Sequence, residues 1–424
     1  MMKLNQIAAL ALASLITPSA MAVTAKDAAA GGNQLGIKLV REMAQGRAGE
    51  NLLVSPFSAQ IALSMALSGT DGHTRKSLLA SLGLPDTDLA SVNAAAKNLL
   101  ETLYQAKKET PQDFRGLVPP TLLIANGAWN TNGATDGRIF KFAEGYKGIL
   151  QQSYNAEMDT LDFVSPASAD VINAWVSKNT NKFIPKIIDP DTLKTFLWAL
   201  INAVYLEAQW TTPFTVMHAT QPNFTTADNT HKTVEMITSQ AAYAYVASPN
   251  ADAEAAVEIP FFNTQNTELV FTAVLPTKGG DVWRSGFWNE VINSLAQTRP
   301  VLGRVTMPKF AYDDSVEMRK DDPLTEAVGL GFLFADNADF SKMATKDSLP
   351  SAVGLIKQMT RIELDEKGIK AAAATLVGGV ERSSSLPQQP KFEIEFNRPF
   401  AYAIVEKKTG TVLFIGAVAD PEAK

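Results

Sequence analysis

Cysteine is absent from the 424 residues of this sequence. Its absence excludes disulfide bonds, thiolate nucleophiles, cysteine-ligated metals and lipid anchors attached through cysteine. Hydrophobic residues make up 46% of the chain and charged residues 19%, which is typical of a folded globular protein. The fold must therefore be held together by the packing of its core.

Histidine is scarce, since His73, His218 and His231 are the three that the sequence contains. A serine hydrolase needs a serine and a histidine brought together, but no G-x-S-x-G segment is present. The H-E-x-x-H pattern of zinc hydrolases, a Walker loop and a dinucleotide-binding glycine pattern are missing too. His218 and His231 could meet across strands, although surface or packing roles are expected for both. The sequence thus predicts no catalytic residue, no cofactor and no metal site, and we expect a protein that is not an enzyme.

Positive charge is also in short supply, because 38 Lys and Arg residues face 44 Asp and Glu residues, for a net charge of -6. This balance argues against nucleic acid as a partner, since nucleic-acid binding favours a basic surface. Lys107 and Lys108 with Arg115 could form a polyanion site, but neighbouring Glu109 and Asp113 favour an ordinary solvated surface.

No hydrophobic run is long enough to cross a membrane. The N-terminal run Ile7–Ile16 has ten residues, whereas a bilayer requires about 20. It follows Lys3 and precedes Ala20-Met21-Ala22, whose small residues suit a signal peptidase. We therefore predict a signal peptide over residues 1–22 and a mature terminus at Val23. An amphipathic helix is the alternative, but the run is apolar on every face. The protein is expected to be exported, to the periplasm or the extracellular medium, and not to bind membranes.

Helix signals dominate the N-terminal half of the chain and strand signals the C-terminal half. Ser55-Pro56 combines a capping residue with proline at the first helical position, and so predicts the start of a helix. A further helix is predicted over Gly137–Leu150. The apolar run Thr195–Glu207 and the segment Val353–Leu364 are predicted to be strands. These patterns indicate an α+β fold with mainly antiparallel sheet, as one large domain over residues 23–424.

The segment Asp365–Lys391, DEKGIKAAAATLVGGVERSSSLPQQPK, separates two predicted strands. Its 27 residues far exceed a usual connection, so we expect a functional or a disordered segment. If this segment is extended, its side chains alternate between two faces. One face is apolar and has small to medium side chains: Ile369, Ala371, Ala373, Thr375 and Val377. The other face has one charged residue, Lys370, so the segment suits both an exposed loop and a strand within a sheet. A helix nucleated by Ala371–Ala374 and a plain linker are the alternatives.

Five motifs occur in order along nearly the whole mature chain. They are NLLVSPFS at residues 51–58, LINAVY at 200–205 followed by Trp210, DEKG at 365–368 followed by AAAAT at 371–375, FNRPF at 396–400, and LFIG at 413–416 followed by Asp420-Pro421. Each motif is weak evidence alone, but the five in this order are strong evidence. With them the sequence resembles the serpin family, the serine protease inhibitors, and we expect an exported bacterial member of that family.

The resemblance implies a fold of three mainly antiparallel β-sheets with eight or nine helices and an exposed reactive-centre loop over about residues 366–391. It also implies a suicide-substrate mechanism, in which the cut loop enters the central sheet as a strand and traps a serine protease as a covalent acyl complex. The protein is expected to act as a monomer.

The resemblance also assigns site residues. Counting from the hinge glutamate, Glu366, places the reactive bond between Arg382 and Ser383, and arginine there implies a trypsin-like target protease. By resemblance, the loop hinge consists of Glu366, Gly368, Ile369, Ala371, Ala372, Ala373, Ala374 and Thr375. Two further regions of the central sheet are the breach, where the loop enters, and the shutter, which lies beneath the sheet. By resemblance, the residues of the shutter and breach are Ser55, Ser58, Asn202 and Trp210.

The sequence departs from the family pattern at several positions. Lys370 replaces a usual glutamate, and Ile369 replaces a usual threonine or serine, yet neither prevents insertion of the loop. Gln358 lies where many members have a shutter histidine. The segment from Ser383 to Lys391 is a few residues longer than is usual in the family. Because this leaves the position of the reactive bond open, Val380 and Leu386 are alternative bait residues. A non-inhibitory serpin that acts as a binding or chaperone-type protein is the alternative function, but small hinge residues favour an inhibitor.

Overall fold

The computed structural model describes residues 22–105, 117–133, 140–263, 267–346, 348, 352–369 and 389–423. In this part of the chain there are nine α-helices, a 3-10 helix at Gly331–Phe334 and seventeen strands. The helices are α1 (Ala25–Gly46), α2 (Pro56–Leu67), α3 (Gly72–Ser81), α4 (Leu89–Gln105), α5 (Glu144–Tyr154), α6 (Pro166–Asn179), α7 (Pro190–Leu193), α8 (Phe287–Ala296) and α9 (Pro323–Ala327). The strands are β1 (Leu52–Val54), β2 (Thr121–Gly133), β3 (Glu157–Asp162), β4 (Trp198–Gln209), β5 (Thr215–Met217), β6 (Phe224–Thr225), β7 (His231–Lys232), β8 (Met236–Asn250), β9 (Ala253–Pro260), β10 (Leu269–Pro276), β11 (Val301–Pro308), β12 (Phe310–Met318), β13 (Ile356–Leu364), β14 (Gly368–Ile369), β15 (Phe392–Glu395), β16 (Phe400–Glu406) and β17 (Thr411–Val418).

A six-stranded sheet has the strand order β12-β13-β14-β4-β2-β3. All neighbours run antiparallel except β2 and β3. The run Thr195–Glu207 is confirmed as a strand and forms most of β4. The predicted strand Val353–Leu364 begins three residues later than expected, at Ile356. Between these long strands lies β14, which has two residues.

Nine further strands form two sheets that share the long strand β8. The C-terminal half of β8 pairs with β9, and the order continues through β10, β16 and β17 to β1. The N-terminal half pairs with β11 and β5, and β11 pairs in parallel with β15. Together with the six-stranded sheet this gives three mainly antiparallel sheets, so the predicted fold class is confirmed. Strands β6 and β7 add a separate two-stranded ribbon.

Helix α2 lies in the middle of the main hydrophobic core. The Ser55 hydroxyl caps the helix by accepting a hydrogen bond from the Ser58 N–H at 3.2 Å, and Pro56 occupies the first turn, as predicted. Ten of the twelve residues of α2 are buried. Residues of α1, α2 and α4 share one core cluster with the inner faces of β4, β13, β16 and β17. The six-stranded sheet is therefore packed against α2 and, through it, against the neighbouring sheet.

A second, smaller core covers the opposite face of the six-stranded sheet. Helix α6 contributes Ile172 and Val176, which pack with Ile201 and Ala203 of β4. The Trp129 ring of β2 meets the Trp175 ring of α6 edge-on, with 4.9 Å between the ring centroids. Residues of β4 therefore alternate between the two cores, as the period of a strand buried on both faces requires.

One expectation about the elements is wrong in part, and one strand was not anticipated. The predicted helix Gly137–Leu150 starts only at Glu144, because Phe140 and Phe142 lie in extended chain and are both buried. Strand β2 was not expected at all, since asparagine and glycine are rare in strands. In the fold, Asn126 of β2 is 1% exposed, and its Nδ2 donates to the Tyr154 carbonyl at 2.7 Å. Tertiary packing thus accommodates residues that local propensity disfavours.

The structure also bears on membrane association. Among the residues described, none of the helices has both the length and the apolar character needed to cross a bilayer.

Candidate functional site

A tight turn at Asp365–Gly368 begins the long segment that the sequence singled out. The Asp365 carboxylate accepts hydrogen bonds from the backbone N–H groups of Lys367 at 2.8 Å and Gly368 at 3.2 Å. Gly368 has φ +149°, and a Cβ at this position would lie 2.0 Å from the Ala208 carbonyl oxygen. Both the backbone angle and the lack of space require glycine here.

After this turn, the chain enters the six-stranded sheet between two strands. Gly368 and Ile369 pair with Gln209 and Ala208 of β4, and Ile369 also pairs with Leu364 of β13. The Ile369 side chain is 3% exposed and belongs to the main core. Strand β14 is therefore paired on both sides, with β4 and with β13.

Trp210 holds the turn from the β4 side. Its backbone N–H donates to the Lys367 carbonyl at 2.9 Å, and its indole Nε1 donates to the Asp365 carbonyl at 3.0 Å. The indole stacks on the Phe261 ring, with 4.5 Å between centroids and 8° between planes. A fully buried aromatic side chain thus fixes the place where the segment enters the sheet.

Lys309 connects Glu366, a residue of the predicted hinge, to the neighbouring sheet. Its Nζ lies 2.9 Å from Glu366 Oε2 and 3.3 Å from Glu235 Oε2. Partial burial opposes the charge on Lys309, but its hydrogen bonds to the two carboxylates outweigh this and raise its pKa. For Glu366, burial likewise opposes ionisation, yet the hydrogen bond from Lys309 lowers the pKa of this carboxyl. Burial raises the pKa of the adjacent Asp365, in spite of its backbone hydrogen bonds.

Below β14, the strands β4 and β13 have no ladder pairs with each other in the described chain. A cavity of about 90 Å³ lies between them and is closed from beneath by α2. Its wall includes Leu200 and Asn202 of β4, Ile356 and Gln358 of β13, and Ser58 of α2. The sheet is therefore joined through β14 at one end, and its two central strands are separate further down.

A polar layer crosses this part of the sheet. On the β13 side, the Gln358 amide donates from Nε2 to the Ser55 carbonyl and accepts at Oε1 from the Ser55 N–H, both at 2.8 Å. On the β4 side, Asn202 Nδ2 donates to Asn126 Oδ1 at 2.7 Å, and the Ser58 hydroxyl approaches the Asn202 carbonyl at 3.4 Å. The Asn202 Oδ1 atom is buried and has no hydrogen-bond partner.

The structure brings together the described residues of the predicted site at two places. Glu366, Gly368, Ile369 and Trp210 meet where the chain enters the sheet, and Ser55, Ser58 and Asn202 meet in the polar layer below it. The remaining predicted residues lie outside the described part of the chain: Arg382, Ser383, Ala371, Ala372, Ala373, Ala374 and Thr375, with Val380 and Leu386 as the alternative bait residues.

The sequence analysis missed Lys309 and the contacts of Gln358 with Ser55. Lys309 is 57 residues before Glu366, and Gln358 is 303 residues from Ser55. No local pattern connects residues so far apart. The position of Glu366 directly after a predicted buried strand was the one sequence feature that suggested a cation nearby.

None of the three histidines belongs to the polar layer of Ser55, Ser58, Asn202 and Gln358. His73 is near the Ser77 hydroxyl and His231 near the Thr225 hydroxyl, at 3.2 and 3.0 Å. His218 is exposed, with its Nδ1 3.7 Å from Glu235 Oε1. Within the described ranges, no three His, Asp or Glu side chains are grouped so that they could hold a metal ion.

Comparison with known proteins gives a consistent result. The family profile described as "Serpin (serine protease inhibitor)" matches residues 30–421. Intracellular coagulation inhibitor 2 of Tachypleus tridentatus is 29% identical over 398 residues, covering 92% of this chain and 90% of the relative. Iripin-2 of Ixodes ricinus is 28% identical, covering 91% of each chain. Among solved structures, the native state of the thermophilic serpin tengpin is 26% identical with a TM-score of 0.72, covering 93% of this chain and 94% of tengpin.

Proposed function

This chain belongs to the serpin family, and on that premise we propose that it is a single-use inhibitor of trypsin-like serine proteases with Arg382–Ser383 as its reactive bond. Serpins are generally protease inhibitors and not enzymes, as the names of the relatives indicate. The proposal extends this to a mechanism in which residues after Ile369 continue β14 through the six-stranded sheet. The observation that carries it is β14 itself, which is already paired with β4 and β13.

The register of β14 defines where each following residue would lie. Ile369 faces Ala208 on one side and Leu364 on the other. Two residues further along, Ala371 would lie between Leu206 and Ile362, both of which are buried in the main core. A small apolar side chain suits this place, because a larger or charged one would have to displace packed core residues.

The alternate face of the inserted strand also matches its surroundings. Lys370 would lie between Glu207 and Glu363 on the outer face of the sheet, one step from the Ala208 and Leu364 positions. Lysine between two carboxylates is favourable, whereas the glutamate that is usual in the family would be repelled. The departure at residue 370 is therefore compatible with insertion in this chain.

Thr375 is the one polar residue on the inward face of the predicted strand, and it would lie between Asn202 and Gln358 in the same register. These two residues are the polar layer of the cavity wall. The Thr375 hydroxyl would be placed to donate a hydrogen bond to Asn202 Oδ1, the buried acceptor that lacks a partner. A buried acceptor gains most from such a bond, because leaving it unpaired costs about 1–3 kcal/mol.

The length of the segment also fits. Ten residues beyond Ile369, Gly379 would reach Trp198, the first residue of β4. Arg382 would then lie just past the far end of the strand. From Ile369 to Arg382 an extended chain covers on the order of 40 Å. A protease attached at Arg382 would thus be carried the length of the sheet.

The chemistry of trapping follows from this displacement. The protease serine attacks the Arg382 carbonyl, the Ser383 amine leaves, and an ester joins Arg382 to the protease. Insertion forms a dozen or more backbone hydrogen bonds, and at about 1 kcal/mol each these contribute on the order of 10 kcal/mol. We propose that this free energy pulls the protease away before water can hydrolyse the ester. Arginine at the bond suits a primary pocket with a buried carboxylate.

The setting of this activity is part of the proposal. We propose that the protein is the exported serpin of a bacterium, in the periplasm or the medium, and that it acts as a monomer. The signal peptide predicted over residues 1–22 supports export. Because cysteine is absent, folding after export would not depend on disulfide formation.

The test is incubation of the full protein with trypsin, followed by a denaturing gel and mass spectrometry. We expect a covalent complex with trypsin and release of a C-terminal fragment that begins at Ser383. A fragment beginning at Glu381 or Pro387 would move the bond to Val380 or Leu386.

The Arg382→Gln variant is the control, and it should lose the complex with trypsin. Clean cleavage of the parent protein at Arg382 without any covalent complex would contradict inhibition and indicate a binding or chaperone-type serpin instead.

A further inference from the structure

Val23 is anchored in the fold although it precedes the first helix. Its side chain is 8% exposed and belongs to the main hydrophobic core. Its backbone N–H donates a hydrogen bond to the Ser91 hydroxyl at 2.8 Å. Ala22, one residue earlier, is exposed. Within the described chain, Val23 is therefore the first residue that is packed into the fold.

Residues immediately after Val23 form a complete helix cap. The Thr24 N–H and hydroxyl both donate to the Asp27 carboxylate, at 2.9 and 2.6 Å, and the Asp27 N–H donates to the Thr24 hydroxyl at 3.2 Å. Val23 stands before this capping box, and Ala28, four residues into the helix, is buried in the same core. An apolar pair at these two positions fixes the direction in which the chain enters a helix.

The partner of Val23 is itself part of a helix start. Ser91 is the third residue of α4, and its N–H donates to the Asp88 carboxylate at 2.8 Å. The bond from Val23 to the Ser91 hydroxyl thus connects the beginning of α1 to the beginning of α4. Removing Val23 would leave the first turns of both helices without this contact.

We propose that the Ala22–Val23 peptide bond is hydrolysed during export and that Val23, as the new first residue, is a structural anchor of the mature protein. Hydrolysis adds one water molecule across the bond, leaving a carboxylate on Ala22 and an ammonium group on Val23. The peptidase is one that requires small side chains at the first and third positions before the bond, here Ala22 and Ala20. This proposal does not depend on protease inhibition.

The fold also sets the order of events. Proteases bind their substrates as extended chain, but Val23 is buried and Thr24 already caps a helix. Cleavage must therefore precede the folding of α1. We expect the full chain to be cleaved by signal peptidase in detergent when it is unfolded, and to resist cleavage at this bond once it is folded. Equal rates for the folded and the unfolded chain would overturn the order.

The anchor is tested by three versions of the protein, which start at Met21, Val23 and Ala25. We expect hydrogen exchange in the first two turns of α1 to be alike in the first two versions. In the version starting at Ala25, which lacks Val23 and Thr24, exchange should be about tenfold faster, a change that corresponds to about 1.4 kcal/mol. Equal exchange in all three versions would contradict the anchoring role.

Point variants separate Val23 from the helix cap. Val23→Ser and Ser91→Ala should each speed exchange in α1 and α4 several-fold, whereas Ser285→Ala, at an exposed serine elsewhere, should leave both helices unchanged. Mass spectrometry of the exported protein should give Val23 as the first residue. Any other first residue would overturn the assigned cleavage site.

Discussion

Gly368 is the residue of the predicted hinge whose backbone geometry is most restrictive. Its φ of +149° and the 2.0 Å approach of a Cβ to the Ala208 carbonyl impose two separate costs on any other residue. We expect Gly368→Ala to lower the free energy of unfolding by about 2–4 kcal/mol, combining backbone strain with a steric clash.

Gly279 provides the matched control for this substitution. It has φ +81°, but a Cβ there would meet nothing within 4 Å. Gly279→Ala should therefore cost only the strain, about 1 kcal/mol. Thermal or urea unfolding of both variants measures the difference. Equal losses would show that the contact with Ala208 contributes nothing.

The ion pair between Lys309 and Glu366 is expected to make the stability of the protein depend on pH. Because the hydrogen bond from Lys309 lowers the pKa of Glu366, the pair contributes stability above the ordinary glutamate pKa and loses it as pH falls through the lowered value. We expect Lys309→Gln to destabilise the protein by about 0.5–1 kcal/mol at pH 7, since both side chains are about a quarter exposed. The difference from the parent protein should shrink below about pH 4.

Lys320→Gln is the control for the pH experiment, because Lys320 pairs with the exposed Asp336. It should have little effect on thermal unfolding at either pH. The raised pKa of Asp365 acts in the opposite direction, since burial favours its protonated form. A loss from Lys309→Gln that is the same at pH 3.5 and pH 7 would refute the ion pair as its cause.

At the scale of the element, the proposed inserted strand would have an inner and an outer face with different requirements. In the register of β14, residue 371 would meet Leu206 and Ile362 in the core. Residue 372 would lie on the opposite face, between the buried Tyr205 and the partly exposed Arg361. We expect Ala371→Glu to convert the inhibitor into a substrate, because a buried carboxylate without a partner opposes insertion.

Ala372→Glu is the matched variant, with the same charge one residue away. It should remain an inhibitor, since its carboxylate would face Arg361, whose side chain is 41% exposed. The measurement is the number of inhibitor molecules consumed for each trypsin molecule trapped. If the two variants behave alike, the alternation of faces is not what governs insertion.

At the scale of the whole molecule, the central strands are not paired directly below β14 in the described chain, and α2 lies beneath them. We expect cleavage at Arg382 to let the strand complete the sheet and to raise the melting temperature. An increase in the free energy of unfolding on the order of 10 kcal/mol corresponds to a rise in melting temperature of roughly 10 °C for a protein of this size.

Calorimetry of the intact and the nicked protein measures this shift. Nicked Ala371→Glu serves as the control, because it can be cut but should not insert, and its melting temperature should stay unchanged. A nicked parent protein that melts no higher than the intact one would mean that no free energy is stored in the sheet.

Several properties follow from the sequence by itself, because they depend on composition or on neighbours along the chain. The absence of cysteine, the cap at Ser55-Pro56 and the two-faced residue pattern after Gly368 are of this kind. The central strand at Thr195–Glu207 was also predictable, since a long run of apolar and β-branched residues is typical of a strand buried on both faces.

Tertiary structure alone decided the rest. It paired Lys309 with Glu366, joined Gln358 to Ser55 across 303 residues, and made a strand of the asparagine- and glycine-containing β2. It also set the register of β14 against β4 and β13, from which the positions in the proposed inserted strand were read. These contacts join residues that are distant in the chain, and their stability depends on burial and on partners that no local periodicity records.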